Sequence, residues 1–181
     1  MSHTIIKKAP DSARQIKLII FDVDGVLTDG TLFYDNNGEE YKAFNAKDGH
    51  GLRMLEKAGI GVAIITGRES ELVNHRASNL NLSPQMIYQG YSDKGLAFKK
   101  LLDKTGLSPQ QIAYVGDDVI DLPVMTKVGL PIAVQDAHWF VLKHADWVSQ
   151  QGGGQGAVRE ICEMLLEAQG KLHILLESYL K

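Results

Sequence analysis

The segment Ile19-Ile20-Phe21-Asp22-Val23-Asp24-Gly25-Val26 constrains the fold of this chain more than any other. It is an apolar run that ends in two carboxylates one residue apart, the pattern of a strand buried on both faces that delivers chemistry at its C-terminal end. Side chains two apart on a strand share a face, so Asp22 and Asp24 are expected to project together where open α/β sheets hold their ligands. Alone, the pair would serve equally well as turn or helix-cap residues.

Three further short apolar runs follow: Gly61-Val62-Ala63-Ile64-Ile65, Ile112-Ala113-Tyr114-Val115 and Leu130-Pro131-Ile132-Ala133-Val134. Between them lie helical patterns over Gly49 to Ala58, Glu69 to Leu80, Lys94 to Thr105 and Leu122 to Val128, with Gly59 and Gly106 placed as C-terminal stops. Strands alternating with helices at this spacing predict an α/β domain built on a doubly wound parallel sheet with right-handed crossovers. One stretch breaks the alternation. Aromatic-rich arms flank Asn37-Gly38 between Thr31 and Phe44, which predicts a β-hairpin inserted after the first strand. Gly152-Gly153-Gly154-Gln155-Gly156 reads as a flexible link before a last helical pattern from Ala157 to Ala168. Residues 1–15 read as a flexible N-terminal arm, 16–170 as the domain and 171–181 as a C-terminal tail.

Composition removes several classes of function. With 181 residues, 44% hydrophobic and 23% charged, the chain suffices for one core. Its formal charge of −3, with Lys and Arg scattered, leaves no footprint for nucleic acid or an anionic membrane. An anionic substrate must therefore be met locally. No run approaches the ~18 apolar residues of a membrane span, and the N-terminus has no long apolar stretch after its charges, so a soluble, cytoplasmic protein is expected. Cys162 is the one cysteine, which excludes an intramolecular disulfide and a cysteine metal cluster.

Four polar groups fall at strand ends or helix starts, where a parallel sheet would gather them on one edge. Asp22 and Asp24 are the first. Thr66-Gly67-Arg68 offers a hydroxyl and a turn whose N–H groups can approach a phosphate closely. Lys94 stands where a helix begins, and Gly116-Asp117-Asp118-Val119-Ile120-Asp121 places Asp117 and Asp121 four apart, facing alike if a helix starts there. Two carboxylates ~4 Å apart repel by roughly 4 kcal/mol at an effective dielectric of about 20, so such a cluster needs a hard divalent cation. The lack of a His or Cys cluster argues against zinc and for Mg²⁺, which prefers oxygen ligands. The combination suits phosphoryl transfer: a carboxylate attacks phosphorus, a second acid protonates the leaving oxygen, and cations steady the equatorial oxygens.

The motifs Asp22-Val23-Asp24-Gly25-Val26-Leu27-Thr28-Asp29-Gly30, Thr66-Gly67-Arg68, Lys94 and Gly116 to Asp121 resemble the four motifs of the haloacid dehalogenase-like superfamily, over about residues 17–170. Within it, Phe44-Asn45-Ala46-Lys47-Asp48-Gly49-His50-Gly51 and the segment from Gly152 to Glu160 are similar to a cap-less subclass acting on phosphorylated 3-deoxy-ulosonic acids. The resemblance implies a Rossmann-like haloacid dehalogenase fold without a cap domain. It further implies Mg²⁺-dependent hydrolysis of an eight-carbon 3-deoxy-ulosonate 8-phosphate in lipopolysaccharide biosynthesis, a nine-carbon 9-phosphate being the close alternative. By the same resemblance Asp22 is the nucleophile, and Asp24 is the general acid and then the base. Mg²⁺ would be held by Asp22, the Asp24 carbonyl and Asp117, with Asp121 supporting the metal and Lys94. Thr66 and Lys94 would hold the phosphoryl group, and Asn45, Ala46, Lys47, Asp48, Gly49, Arg53, Arg68 and Arg76 would contact the sugar phosphate. A homotetramer is implied too, its hairpins forming a central barrel and its C-terminal tails reaching neighbouring sites. From another class, a phospho-accepting receiver domain also sets a strand-end aspartate, a Thr and a Lys around Mg²⁺, but it needs no acid two residues beyond its nucleophile. A catalytically silent scaffold would have no reason to keep Asp22, Asp24, Lys94 and Asp117 together.

Overall fold

The computed structural model describes residues 10–180. The opening apolar run forms β1 (Leu18–Phe21), buried throughout. The inserted hairpin follows as β2 (Phe33–Tyr34) and β3 (Glu40–Tyr41), then α1 (Ala46–Lys57). Next come β4 (Gly61–Ile65), α2 (Glu71–Asn79), β5 (Ile87–Tyr88) and α3 (Lys94–Thr105). The second half holds β6 (Ile112–Gly116), α4 (Leu122–Met125), β7 (Leu130–Ala133), α5 (Trp139–Leu142) and β8 (Trp147–Val148). The chain closes with α6 (Ala157–Ala168) and α7 (Leu172–Glu177).

The six strands of the main sheet are parallel, in the order β5-β4-β1-β6-β7-β8, which is the predicted doubly wound architecture. Leu18 of β1 is in register with both Gly61 of β4 and Ile112 of β6. The chain leaves β1 toward one edge and later returns to β6 on the other side, so strand order reverses there. In such sheets the crevice at the reversal binds ligands, and here it is bounded by the ends of β1, β4 and β6. Helices cover the sheet, with α1 packed against α6, so its strands read as unbroken apolar runs. Ile19, Ile20, Ile65, Leu55, Ile161 and Leu165 are fully buried there. Each such side chain stabilises by about 1.5–3 kcal/mol.

Departures from the expected elements have local causes. The hairpin strands are only two residues long because Asp35–Glu39 is consumed by the turn. There Asp35 Oδ1 accepts the N–H groups of Asn37 and Glu39, and Gly38 takes φ +83°. Helix α1 starts at Ala46 rather than Gly49 because the Asn45 side chain caps it, accepting the Lys47 N–H at 2.8 Å. The expected arm and tail both touch the core. Asp11–Gln15 forms a 3-10 turn that buries Ala13, and Gln169 Nε2 donates to the carbonyls of Ala13 and Ile16. Helix α7 buries Leu172 and Leu175. Residues 1–9 of the arm and residue 181 of the tail lie outside the described residues. Between Asp22 and Thr66 the chain forms only the hairpin and α1, and between Thr66 and Lys94 only α2, a 3-10 turn and β5, leaving no inserted cap domain. Among the described residues no helix is long and apolar enough to cross a membrane.

Candidate active site

The loops after β1, β4 and β6 and the start of α3 meet around a pocket of about 190 Å³ lined by Asp22, Asp24, Thr66, Gly67, Arg68, Lys94 and Asp117. The loop after β1 is made by convergence: the N–H groups of Val26, Leu27 and Thr28 all point to the Val23 carbonyl. This turn gives the two carboxylates of the opening motif different surroundings. Asp22 is buried and lies 2.8 Å from Lys94 Nζ. Asp24 is partly exposed and turns to the hairpin, where Lys42 Nζ donates to its Oδ1 and Arg68 Nε stands 3.8 Å from its Oδ2.

Two glycines make room for the acids. Gly25 adopts φ +93°, and a Cβ there would lie 2.1 Å from Asp117 Oδ2. A Cβ on Gly116 would lie 2.6 Å from the Asp121 carboxyl. Asp121 does not share a helix face with Asp117 as expected, because Val119–Asp121 is a 3-10 turn. Instead its Oδ1 accepts from Lys94 Nζ and Tyr114 OH, both at 2.6 Å, and its Oδ2 accepts the N–H groups of Asp117 and Asp118. Four donors engage Asp121, so it positions Lys94 and the loop around it.

Asp22, Asp117 and Asp121 each place an oxygen within 4.8 Å of the others. Burial pushes the Asp22 carboxyl up to about 7, the nearby Lys94 charge only partly offsetting it. Burial, reinforced by Asp22 and Asp121, pushes Asp117 up to about 8. Burial alone would lower the Lys94 ammonium, but the two carboxylates beside it outweigh that and its pKa rises. The buried Asp117 Oδ1 has no hydrogen-bond partner among the described residues. Hard oxygen donors in electrostatic excess, one of them orphaned, fit a divalent cation such as Mg²⁺.

Thr66 is buried, its N–H bonded to the Tyr88 carbonyl, and its Oγ1 accepts the Arg68 N–H at 3.4 Å. Arg68 reaches across the pocket edge to Glu40 at 2.6 Å and Tyr34 OH at 2.8 Å. Within one chain the remaining expected sugar contacts are not brought to this pocket. Asn45, Asp48, Gly49 and Arg76 border a separate cavity of about 10 Å³. Arg76 Nη2 donates to the Asn45 carbonyl there, and its guanidinium lies over the Phe44 ring. Asp48 is 1% exposed and accepts the Arg159 N–H at the start of α6, a helix-anchoring task. Burial raises its carboxyl, and that N–H moderates the rise. Ala46, Lys47 and Arg53 are exposed on α1 and line neither cavity.

Gly152 to Gly156 is a brace rather than a loose link. A Cβ on Gly153 would lie 1.8 Å from the Gly25 carbonyl oxygen, and the Gly154 N–H donates to the Val26 carbonyl. Sequence reasoning missed Tyr114, whose hydroxyl inside an apolar strand must find a partner when buried. It also missed Glu40 and Lys42. Their two-residue spacing on a hairpin arm, which puts both side chains on one face, was the available signal.

The fold, with three loops and the start of α3 converging on one pocket, defines a haloacid dehalogenase-like hydrolase, and the family model of that description matches residues 85–161. The chain is 54% identical over 160 residues to the Escherichia coli K12 3-deoxy-D-manno-octulosonate 8-phosphate phosphatase KdsC, covering 88% of this chain and 84% of the relative. It belongs to the 3-deoxy-D-manno-octulosonate 8-phosphate phosphatase family. The Moraxella catarrhalis phosphatase of that name, solved in complex with magnesium ion, phosphate ion and a KDO molecule, is 40% identical with a TM-score of 0.89, covering 93% of this chain and 95% of that one. The cobalt-bound Haemophilus influenzae enzyme is 41% identical with a TM-score of 0.88, covering 94% and 99%.

Proposed function

We propose that this protein is a Mg²⁺-dependent phosphatase that hydrolyses 3-deoxy-D-manno-octulosonate 8-phosphate to the free sugar acid and inorganic phosphate. The observation that carries the reading is the division of the opening motif: Asp22 lies on Lys94 in the buried floor, while Asp24 stands at the pocket edge. Asp22 attacks phosphorus, the bond from phosphorus to the sugar oxygen breaks, and Asp24 gives that oxygen its proton. Water then attacks the aspartyl-phosphate, returns a proton to Asp24, and frees phosphate and Asp22. Thr66 and Lys94 hold the phosphoryl oxygens through both steps. Asp22, Asp117 and the Asp24 carbonyl would hold the cation, with Asp121 in support. Bound Mg²⁺ supplies positive charge against the phosphoryl oxygens.

Membership of the phosphatase family and the placement of Asp24 both favour hydrolysis over a receiver's signalling role. A catalytic domain over 16–170, a homotetramer, a cytoplasmic location and a step toward lipopolysaccharide complete the reading. In an assembly of that kind a neighbouring copy would bring Asn45, Ala46, Lys47, Arg53 and Arg76 to bear on the sugar, whereas Asp48 and Gly49 are buried within their own chain and present no face to it. The test is phosphate release from a panel of sugar phosphates, eight- and nine-carbon 3-deoxy-ulosonates included, with Mg²⁺ and with EDTA. Metal-dependent turnover favouring the eight-carbon substrate is expected. Preference for the nine-carbon substrate would move the pathway, and equal turnover in EDTA would overturn the metal dependence.

A further inference from the structure

We infer that Lys42 is a positioning residue for this reaction: from the arm of the hairpin it aims the Asp24 carboxyl at the leaving oxygen. The inference rests on the phosphatase reading above. Asp22 is held by burial and by Lys94, but the Asp24 side chain is 21% exposed and opens onto the pocket. A carboxyl with two rotatable bonds at a pocket edge needs something to fix it.

Among the described residues its charged partners are both cations, and both are tied to the hairpin. Lys42 Nζ donates to Asp24 Oδ1 and also reaches Glu40 Oε1 at 3.4 Å. Arg68 faces Asp24 Oδ2 while bonded to Glu40 and to Tyr34 OH on the opposite strand. The Lys42 side chain is only 3% exposed, so its flexible stem is already ordered before substrate arrives. Aiming Asp24 then costs little further side-chain entropy. Lys42 forms and breaks no bond. Its effect passes through Asp24, which moves the proton. A misplacement of about 1 Å in such a group can cost about 100-fold in rate.

The test compares Lys42→Met, Lys42→Arg, Asp24→Asn and the Lys42→Met/Asp24→Asn double variant by kcat/KM, which reports steps through leaving-group departure. Three substrates are used: the acidic eight-carbon sugar phosphate, the uncharged-sugar substrate glucose 6-phosphate, and p-nitrophenyl phosphate, whose leaving group needs no proton. Lys42→Met should lose about 10- to 100-fold on both sugar phosphates, with KM changed less than about threefold. On p-nitrophenyl phosphate it should stay within about threefold of wild type. Lys42→Arg should recover part of the loss, and Lys42→Met should cost nothing more in the Asp24→Asn background. A loss confined to the acidic sugar would overturn the inference by making Lys42 a substrate contact. Equal loss on all three substrates, or additive loss in the double variant, would overturn it as well. Wild-type protein inactive on every substrate would instead remove the phosphatase reading and this inference with it.

Discussion

On the floor of the pocket, Asp22, Asp117 and Asp121 face the Lys94 ammonium; along its hairpin wall, Asp24 and Glu40 face Lys42 and Arg68. The floor is buried, braced by main-chain N–H groups, and carries more acid than base. The wall is partly exposed, charge-balanced, and closed by long side chains from a hairpin whose strands are two residues each. A buried acidic excess is costly without a cation, whereas a balanced ring needs none. On the proposed function, metal dependence then belongs to the floor and the leaving group is met at the wall.

The largest expected effect tests the floor's chemistry. Asp22→Asn keeps shape and removes the proposed nucleophile, so phosphate release should fall by about 10⁴-fold or more while the unfolding midpoint holds. A variant retaining a tenth of wild-type turnover would take the nucleophile away from the floor altogether. Lys94→Met asks how much the floor depends on its ammonium. It strands Asp22 and Asp121 and should cost about 3–5 kcal/mol in denaturant unfolding. The matching wall change, Lys42→Met, removes a side chain only 3% exposed but leaves Arg68 facing the partly exposed Asp24 and Glu40, so it should cost less, about 1–2 kcal/mol. Equal costs would erase the distinction between the two regions.

The two regions also differed in how far the sequence revealed them. The floor was legible because its acids follow apolar runs, and a strand pattern with a carboxylate at its end carries both position and chemistry. The sheet was legible for the same reason: strands covered on both faces read as unbroken Ile, Val and Ala. The wall was legible only in part: Asp24 and Arg68 stood in motifs, but Lys42 and Glu40 look like any solvated pair on a hairpin until a tertiary contact buries the Lys42 stem against Asp24. The role of the glycine-rich segment was hidden too. Nothing local says that Gly153 lies against the Gly25 carbonyl, a contact made across 128 positions of chain. The two-residue strand β8 and the single turn α5 are too short to show a period, and their place comes from the sheet edge they complete.

Titration sharpens the contrast at intermediate magnitude. Asp22 and Asp117 stand near 7 and 8 in the fold against an ordinary value of 3.8. Between about pH 4 and 8 the native floor therefore keeps protons that the unfolded chain has lost, and stability falls as pH rises. In EDTA, Tm should drop by several degrees from pH 5 to pH 8, at about 3 °C per kcal/mol for a chain of this size. On the proposed function Mg²⁺ would bind the deprotonated floor, so its stabilisation should be greater at pH 8 than at pH 5. Asp117→Asn should flatten both dependences. A Tm in EDTA that rises with pH over this range would overturn the picture of an acid-rich floor.

The smallest expected effect probes the wall away from Asp24. Glu40 Oε1 accepts from Arg68 at 2.6 Å and from Lys42 at 3.4 Å, joining the two cations without touching the floor. Glu40→Gln keeps an acceptor oxygen of the same reach and removes the charge. The Arg68 side chain is 45% exposed, so water already screens this pair, and such ion pairs contribute about 0.2–1 kcal/mol. The variant should leave kcat unchanged, since Lys42 still holds Asp24, and should shift KM for the sugar phosphate by about twofold. The shift should shrink at about 1 M salt, where charges more than about 3 Å apart are screened. A tenfold fall in kcat that persists at high salt would mean that Glu40, and not Lys42, sets the aim of Asp24, so that the wall works as one rigid unit rather than as an adjustable ring.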